Sequence, residues 1–152
     1  MTPVSSQTSH SQVTRSLEIR ATPSKVWRYF ASQEGLRRWI SPNLEIDLQV
    51  GGRFRFLGPD GKSWVSGTVL DIVPEGWLIL SWIEEGQGWQ NPARLLLALE
   101  ASGAGTKASM TFDGFAGTGR ADWPGIVADY ERGSDEHKTL QALARLAESD
   151  ES

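Results

Sequence analysis

The sequence predicts an α+β domain in which a curved antiparallel sheet wraps one long C-terminal helix. Three observations predict it. Apolar residues recur at helical spacing in two short stretches near the start, then switch to strict alternation at Asn43. Short glycine- or proline-bearing breaks then punctuate the chain at intervals that suit strand connections. After Trp123 the helical spacing returns and draws a single apolar face. Neither a linker nor an internal repeat interrupts the pattern, and 152 residues favour one domain. That domain is expected over residues 13–148. A Ser/Thr-rich disordered tail is expected at 1–12, and a short polar tail at 149–152.

Residues 13–20 read as a strand, with Leu17 and Ile19 alternating against Ser16 and Glu18. Thr22-Pro23 opens a helix, with threonine as N-cap and proline at the first helical position, where its missing N–H costs nothing. Val26, Trp27 and Phe30 supply its apolar face. A second short helix from Ser32 or Gln33 carries Leu36, Trp39 and Ile40, and Ser41-Pro42 ends it, since a residue before proline resists the α conformation. Leu44, Ile46, Leu48 and Val50 then share one face of a strand, with Glu45, Asp47 and Gln49 on the other. Gly51-Gly52 is the expected hairpin turn and residues 53–56 the return strand. Pro59-Asp60-Gly61 is a second turn. Residues 64–73, 77–83, 93–101 and 107–112 follow as strands, the last pair joined by a turn over 102–106. In the closing helix Gly133-Ser134 is the expected kink, and helix is expected at least from Ser134 to Glu148. A sheet curved round that helix leaves a hollow between them.

Composition narrows the chemistry. The chain has no cysteine, which excludes a disulfide framework, cysteine-ligated zinc, iron–sulfur clusters and a thiol nucleophile. With only two histidines and no metal-ligand spacing, no metal site and no cofactor are expected. Fifteen basic against nineteen acidic residues give a net charge of −4, which argues against general nucleic-acid binding. No apolar run approaches the ~20 residues that span a bilayer and no signal-peptide pattern opens the chain, so a cytoplasmic location is expected. The unusual number is seven tryptophans. Aromatic bulk without ionisable clusters points to a cavity or a large core.

Several segments together resemble the START-like, or SRPBCC, helix-grip superfamily, and within it the heat-shock-protein-90 ATPase activator-like branch. They are Ala21-Thr22-Pro23-Ser24-Lys25-Val26-Trp27, Leu36-Arg37-Arg38-Trp39, Val50-Gly51-Gly52-Arg53-Phe54-Arg55-Phe56, Gly67-Thr68-Val69-Leu70-Asp71-Ile72-Val73-Pro74 and Leu80-Ser81-Trp82. The resemblance spans residues 13–148 and implies the order β-α-α-β6-α. Where that family often carries a Gly-Trp pair in its last helix, this chain reads Lys138-Thr139. Related domains bind lipids, hormones and polyketides.

Candidate chemistry is sparse. Gly103-Ala104-Gly105-Thr106-Lys107-Ala108 fits a loose dinucleotide-binding string, but strands flank it on both sides and a hairpin turn is the reading it supports. Arg53 and Arg55 alternate with Phe54 and Phe56; with the phenylalanines facing in, the arginines are solvated, as are Glu45, Asp47 and Gln49. His137, Tyr130, Arg55 and Asp113 are the side chains a proton-transfer reaction could draw on, and none forms a catalytic constellation in the sequence, so no catalytic residue is assigned. Trp27 reads as core, and Trp77 and Trp89 as partly exposed beside turns. Trp39, Trp64, Trp82 and Trp123 line the hollow or simply fill it. The expected ligand-binding set is Trp39, Phe56, Trp64, Trp82, Met110, Phe112 and Tyr130. The leading functional reading is a module that binds a small hydrophobic or aromatic molecule. Two others stand beside it: a polyketide cyclase- or aromatase-like enzyme in the same cavity, and a co-chaperone-like partner of a chaperone ATPase. A homodimer is a further partner reading.

Overall fold

The computed structural model describes residues 5–8, 12–58 and 60–149; the side chains of residues 5–8, 136 and 137 lie outside it. Eight strands form a single sheet: β1 (Ser5–Thr8), β2 (Val13–Ile19), β3 (Glu45–Ile46), β4 (Arg53–Leu57), β5 (Trp64–Val73), β6 (Trp77–Glu84), β7 (Ala93–Ser102) and β8 (Gly105–Asp113). Their spatial order is β1-β2-β8-β7-β6-β5-β4-β3, antiparallel at every junction. Helices α1 (Pro23–Trp27) and α2 (Gln33–Arg37) interrupt the sheet after β2, and α3 (Trp123–His137) and α4 (Thr139–Ser149) close the chain. The fold is the helix grip that the sequence predicts.

The helix starts follow from their caps. The Thr22 hydroxyl accepts from the Lys25 amide at 3.3 Å ahead of Pro23, and Ser32 accepts from the Gly35 amide at 3.0 Å. Leu140, Leu143 and Ala147 bury the inner side of α4, which packs on β2, β8 and α1. The Tyr29 hydroxyl donates to the Leu146 carbonyl at 3.2 Å and ties α1 to it. One sheet face is buried under these helices. Leu78, Leu80 and Trp82 of β6, Leu95, Leu97 and Leu99 of β7, and Ala108, Met110 and Phe112 of β8 lie on it by simple alternation.

Three features depart from the expectation. Residues 5–8, read as part of an unpatterned tail, pair with β2, which gives that strand's outer backbone groups partners. The remainder of the N-terminal tail, His10 included, and residues 150–152 lie outside the described residues, as does Pro59. The strand expected from Leu44 to Val50 shrinks to two residues. Beyond Ile46 the chain turns through Gln49–Gly52, the Gly52 amide bonding the Gln49 carbonyl at 2.8 Å with Gly51 at φ 87°. Val50 therefore occupies a turn corner and is 64% exposed instead of sharing the face of Leu44. Lastly, the C-terminal helix breaks at Lys138 and not at Gly133-Ser134. Lys138 is left-handed (φ 52°, ψ 43°), the conformation that ends helices, and α4 begins at the next residue.

The charged residues of the β3–β4 hairpin behave as the alternation requires. Glu45, Asp47, Gln49, Arg53 and Arg55 are exposed while Phe54 and Phe56 are buried. Gly103 and Ala104 form the two-residue turn between β7 and β8, so the glycine string is a hairpin.

Candidate functional site

On β6, residues 82 and 84 fall on the buried sheet face, which brings an indole and a carboxylate side by side under α3. The Trp82 ring meets Phe112 at 5.1 Å and Phe56 at 5.4 Å in edge-to-face contacts, with Phe54 tilted at 6.0 Å. Tyr130, from the middle of α3, stands over Phe112 (4.9 Å) and Phe115 (5.0 Å). A directed hydrogen-bond chain runs through these rings. Trp82 Nε1–H donates to Tyr130 Oη at 2.7 Å, and Tyr130 Oη–H donates to Glu84 Oε2 at 2.5 Å. The indole can only donate and the carboxylate only accept, so the tyrosine's proton position is fixed.

Burial pushes the Tyr130 hydroxyl well above the ordinary phenol value of 10, and the Glu84 charge adds to the shift; the bond from Trp82 opposes it. An acid with its folded value raised contributes stability that is complete below its unfolded value and disappears as pH rises through the folded one. Stability is therefore expected to fall above pH ~10, and Tyr130→Phe should flatten that alkaline limb. Chemical denaturation at pH 8 and again above pH 10 checks this; equal pH slopes for both proteins would refute it.

Of the residues expected to share the site, the structure brings together Phe56, Trp82, Phe112 and Tyr130. Met110 lies on the same face of β8, buried opposite Arg15 of β2. Trp39 does not join them. It packs on Phe30 at 5.0 Å beside α1, its indole N–H held by the Tyr29 carbonyl at 2.8 Å. Trp64 lies on the opposite sheet face. Phe56 is paired with Val65, which takes the inward position, so Trp64 faces out beneath the Arg55 guanidinium at 3.9 Å. Trp27 is core, stacked on Phe30 at 4.9 Å, and Trp77 is exposed. Trp89, expected to be partly exposed, is buried against Phe115 at 6.3 Å. Trp123 is partly buried against the core.

The other proton-transfer candidates are elsewhere. Asp113 holds Arg94 in a two-pronged ion pair at 2.7 and 3.0 Å on the outer face. Arg55 does the same with Glu85, both bonds 2.9 Å, and their contact holds the Glu85 carboxyl below its usual range. The His137 side chain lies outside the described residues. A groove of about 810 Å³ opens on this outer side between α2 and the β3–β5 strands, with Arg37, Arg53 and Arg55 interspersed with Glu45, Asp47 and Glu85. Among the described residues no cluster of three or more His, Asp or Glu could hold a metal, and no helix is long and apolar enough to cross a membrane.

Glu84 and Arg15 escaped the sequence reading. The strand expected over 77–83 runs one residue further, and Glu84 continues the Trp82 alternation by one step. Arg15 shares the face of Leu17, where it is 3% exposed, and its guanidinium is gripped by Asp135 of α3 at 2.9 and 3.2 Å. Among the described residues, two side chains of α3, Tyr130 and Asp135, thus make polar contacts with the sheet, one near each end of the helix's second half.

A family model described as "Activator of Hsp90 ATPase homolog 1-like protein" matches residues 20–129. No curated protein matches the sequence. Among solved structures, protein MLL2253 from Mesorhizobium loti superposes with a TM-score of 0.74 at 20% identity, covering 91% of this chain and 98% of that one. The Aha1 dimer from Colwellia psychrerythraea gives 0.70 at 15% identity, covering 93% and 98%. CalU16 from Micromonospora echinospora gives 0.68 at 20% identity, covering 98% and 86%. At such identities the likeness is one of fold.

Proposed function

The chain belongs to the Activator of Hsp90 ATPase homolog 1-like family, and from that premise we propose that it is a binding domain for a small, largely aromatic molecule held between the sheet and α3. The observation that carries this reading is the Trp82–Tyr130–Glu84 chain inside a shell of rings. A core that only fills space is served best by apolar side chains in defined rotamers. A buried tyrosine hydroxyl needs a partner in any core, and one passed to a carboxylate within a shell of rings also matches the few polar groups by which ligand sites orient a molecule in apolar surroundings. In this reading Phe56, Trp82, Met110 and Phe112 are the floor of the site and Tyr130 its roof, and Trp39 and Trp64 take no part.

The same pair favours a second reading. A carboxylate 2.5 Å from a phenol can move a proton to or from a bound carbonyl compound, as a cyclase- or dehydratase-like reaction requires. Binding comes first in either case, and it is the step to test. A panel of naphthols, flavonoids and fatty acids should include a ligand that quenches tryptophan fluorescence. At a hundredfold excess over Kd it should add about 2.7 kcal/mol, or roughly 5–10 °C in melting temperature. A panel that yields neither quenching nor a melting shift would leave the rings as packed core and overturn the proposal.

A further inference from the structure

Among the described residues, no ion pair is recorded for Glu84. Its carboxylate is half-buried on the inner sheet face, and its one recorded partner among the described residues is the Tyr130 hydroxyl. Nearby arginines are committed elsewhere: Arg15, on the same inner face, to Asp135, Arg55 to Glu85, Arg94 to Asp113, Arg120 to Asp122 and Arg132 to Asp129, while Arg53 is exposed on the outer face. One neutral hydrogen bond does not replace the hydration that a carboxylate loses on burial, whereas a cation at contact distance does. Tyr130 gives its proton to Oε2, so Oε1 keeps its acceptor capacity. The neighbouring rings of Trp82, Phe112 and Tyr130 pack edge to face on one another, and aromatic rings as a class attract a cation and repel an anion at their faces.

We infer that the molecule bound at this site carries a protonated amine, seated against the Glu84 carboxylate and among the surrounding rings. The inference rests on the ligand-binding reading above and narrows it to amines. It reads the charge of the site, so uncharged and anionic ligands of the same shape are the comparison that decides it.

Three naphthalene probes serve: 2-naphthylmethylamine, 2-naphthylmethanol and 2-naphthoate, titrated by calorimetry into the full chain at pH 7. The amine is expected to bind at least tenfold tighter than the carboxylate, and Glu84→Gln should bring that ratio within about threefold. Glu85→Gln, one residue along and on the opposite face, should leave the ratio as in the natural protein. Equal affinity of amine and carboxylate in the natural protein would overturn the inference whatever the variants do. So would a ratio that Glu84→Gln leaves intact in a variant of unchanged melting temperature. If the alcohol binds but the amine gains nothing over it, the ligand-binding reading stands and this inference falls. If none of the three binds, this inference falls, and the wider ligand panel decides the ligand-binding reading.

Discussion

Replacing Trp82 by alanine is expected to destabilise the protein by about 3–5 kcal/mol, lowering the melting temperature by roughly 10 °C or more. Trp82 is 7% exposed and touches three rings from two other parts of the sheet, so its removal leaves a void that none of them can fill alone. The substitution also deprives Tyr130 of its donor partner. Trp82→Phe separates the two effects, since it retains most of the packing and loses the N–H; about 1 kcal/mol is expected for it. Trp64→Ala is the informative contrast. Trp64 is 36% exposed on the other face, where truncation should cost under about 1 kcal/mol. Urea denaturation of the three variants provides the test. Comparable losses for Trp82→Ala and Trp64→Ala would contradict the facing assigned to them. The same two variants bear on function, since only the first should abolish quenching by a bound aromatic. Trp89→Ala is no neutral control for that experiment, because its ring is buried against Phe115.

The Trp64 and Trp82 pair also shows where sequence reading succeeds and where it stops. Caps, turns and alternation are local, and they disclosed α1, α2, the long strands and the β7–β8 hairpin. Which face of a strand is inner is decided by its neighbour's register, and a slip of one residue inverts every side chain. The helix-grip arrangement puts Trp64 on the strand beside Phe56, but the register pairs Phe56 with Val65, and Trp64 pairs with Leu57 on the outer face. Trp39 was assigned to the hollow from its position alone, and the approach of α2 to α1 turned it toward Phe30. Partners such as Asp135 for Arg15, 120 residues away, leave no mark in one sequence. The alternation that buries Leu17 does bury Arg15 with it, and a buried arginine implies a partner on whatever covers it. Glu84 could have been found likewise, one step beyond Trp82. Helix α3 could not have been divided from α4 in advance, because a left-handed lysine has no sequence signature of the kind glycine provides.

Gly67→Ala is expected to be as damaging as many large core truncations, although it adds a single methyl group. Gly67 lies opposite Phe54 in the β4–β5 ladder, where β5 closes on β6 just before the bulge at Val69–Asp71. A Cβ there would sit 2.1 Å from the Ser81 carbonyl oxygen and 2.8 Å from Phe54 Cε2. The ring could move, but the carbonyl is fixed in the sheet. Its strand is further held to β5 by the Ser81 hydroxyl, which accepts from the Thr68 amide at 2.8 Å and contacts the Thr68 hydroxyl at 3.1 Å. Relief therefore requires β5 and β6 to part and those bonds to stretch, at an expected cost of about 3 kcal/mol or more. It also drives Phe54 toward Trp82, which couples the strand contact to the aromatic shell. Gly61→Ala isolates the conformational part of a glycine's role. Gly61 has φ 71° and nothing within 4 Å of its would-be Cβ, so only the left-handed penalty of about 1 kcal/mol applies. The two melting temperatures, measured together, separate steric exclusion from backbone preference. A Gly67→Ala protein no less stable than Gly61→Ala would mean that β5 and β6 do not approach this closely in solution.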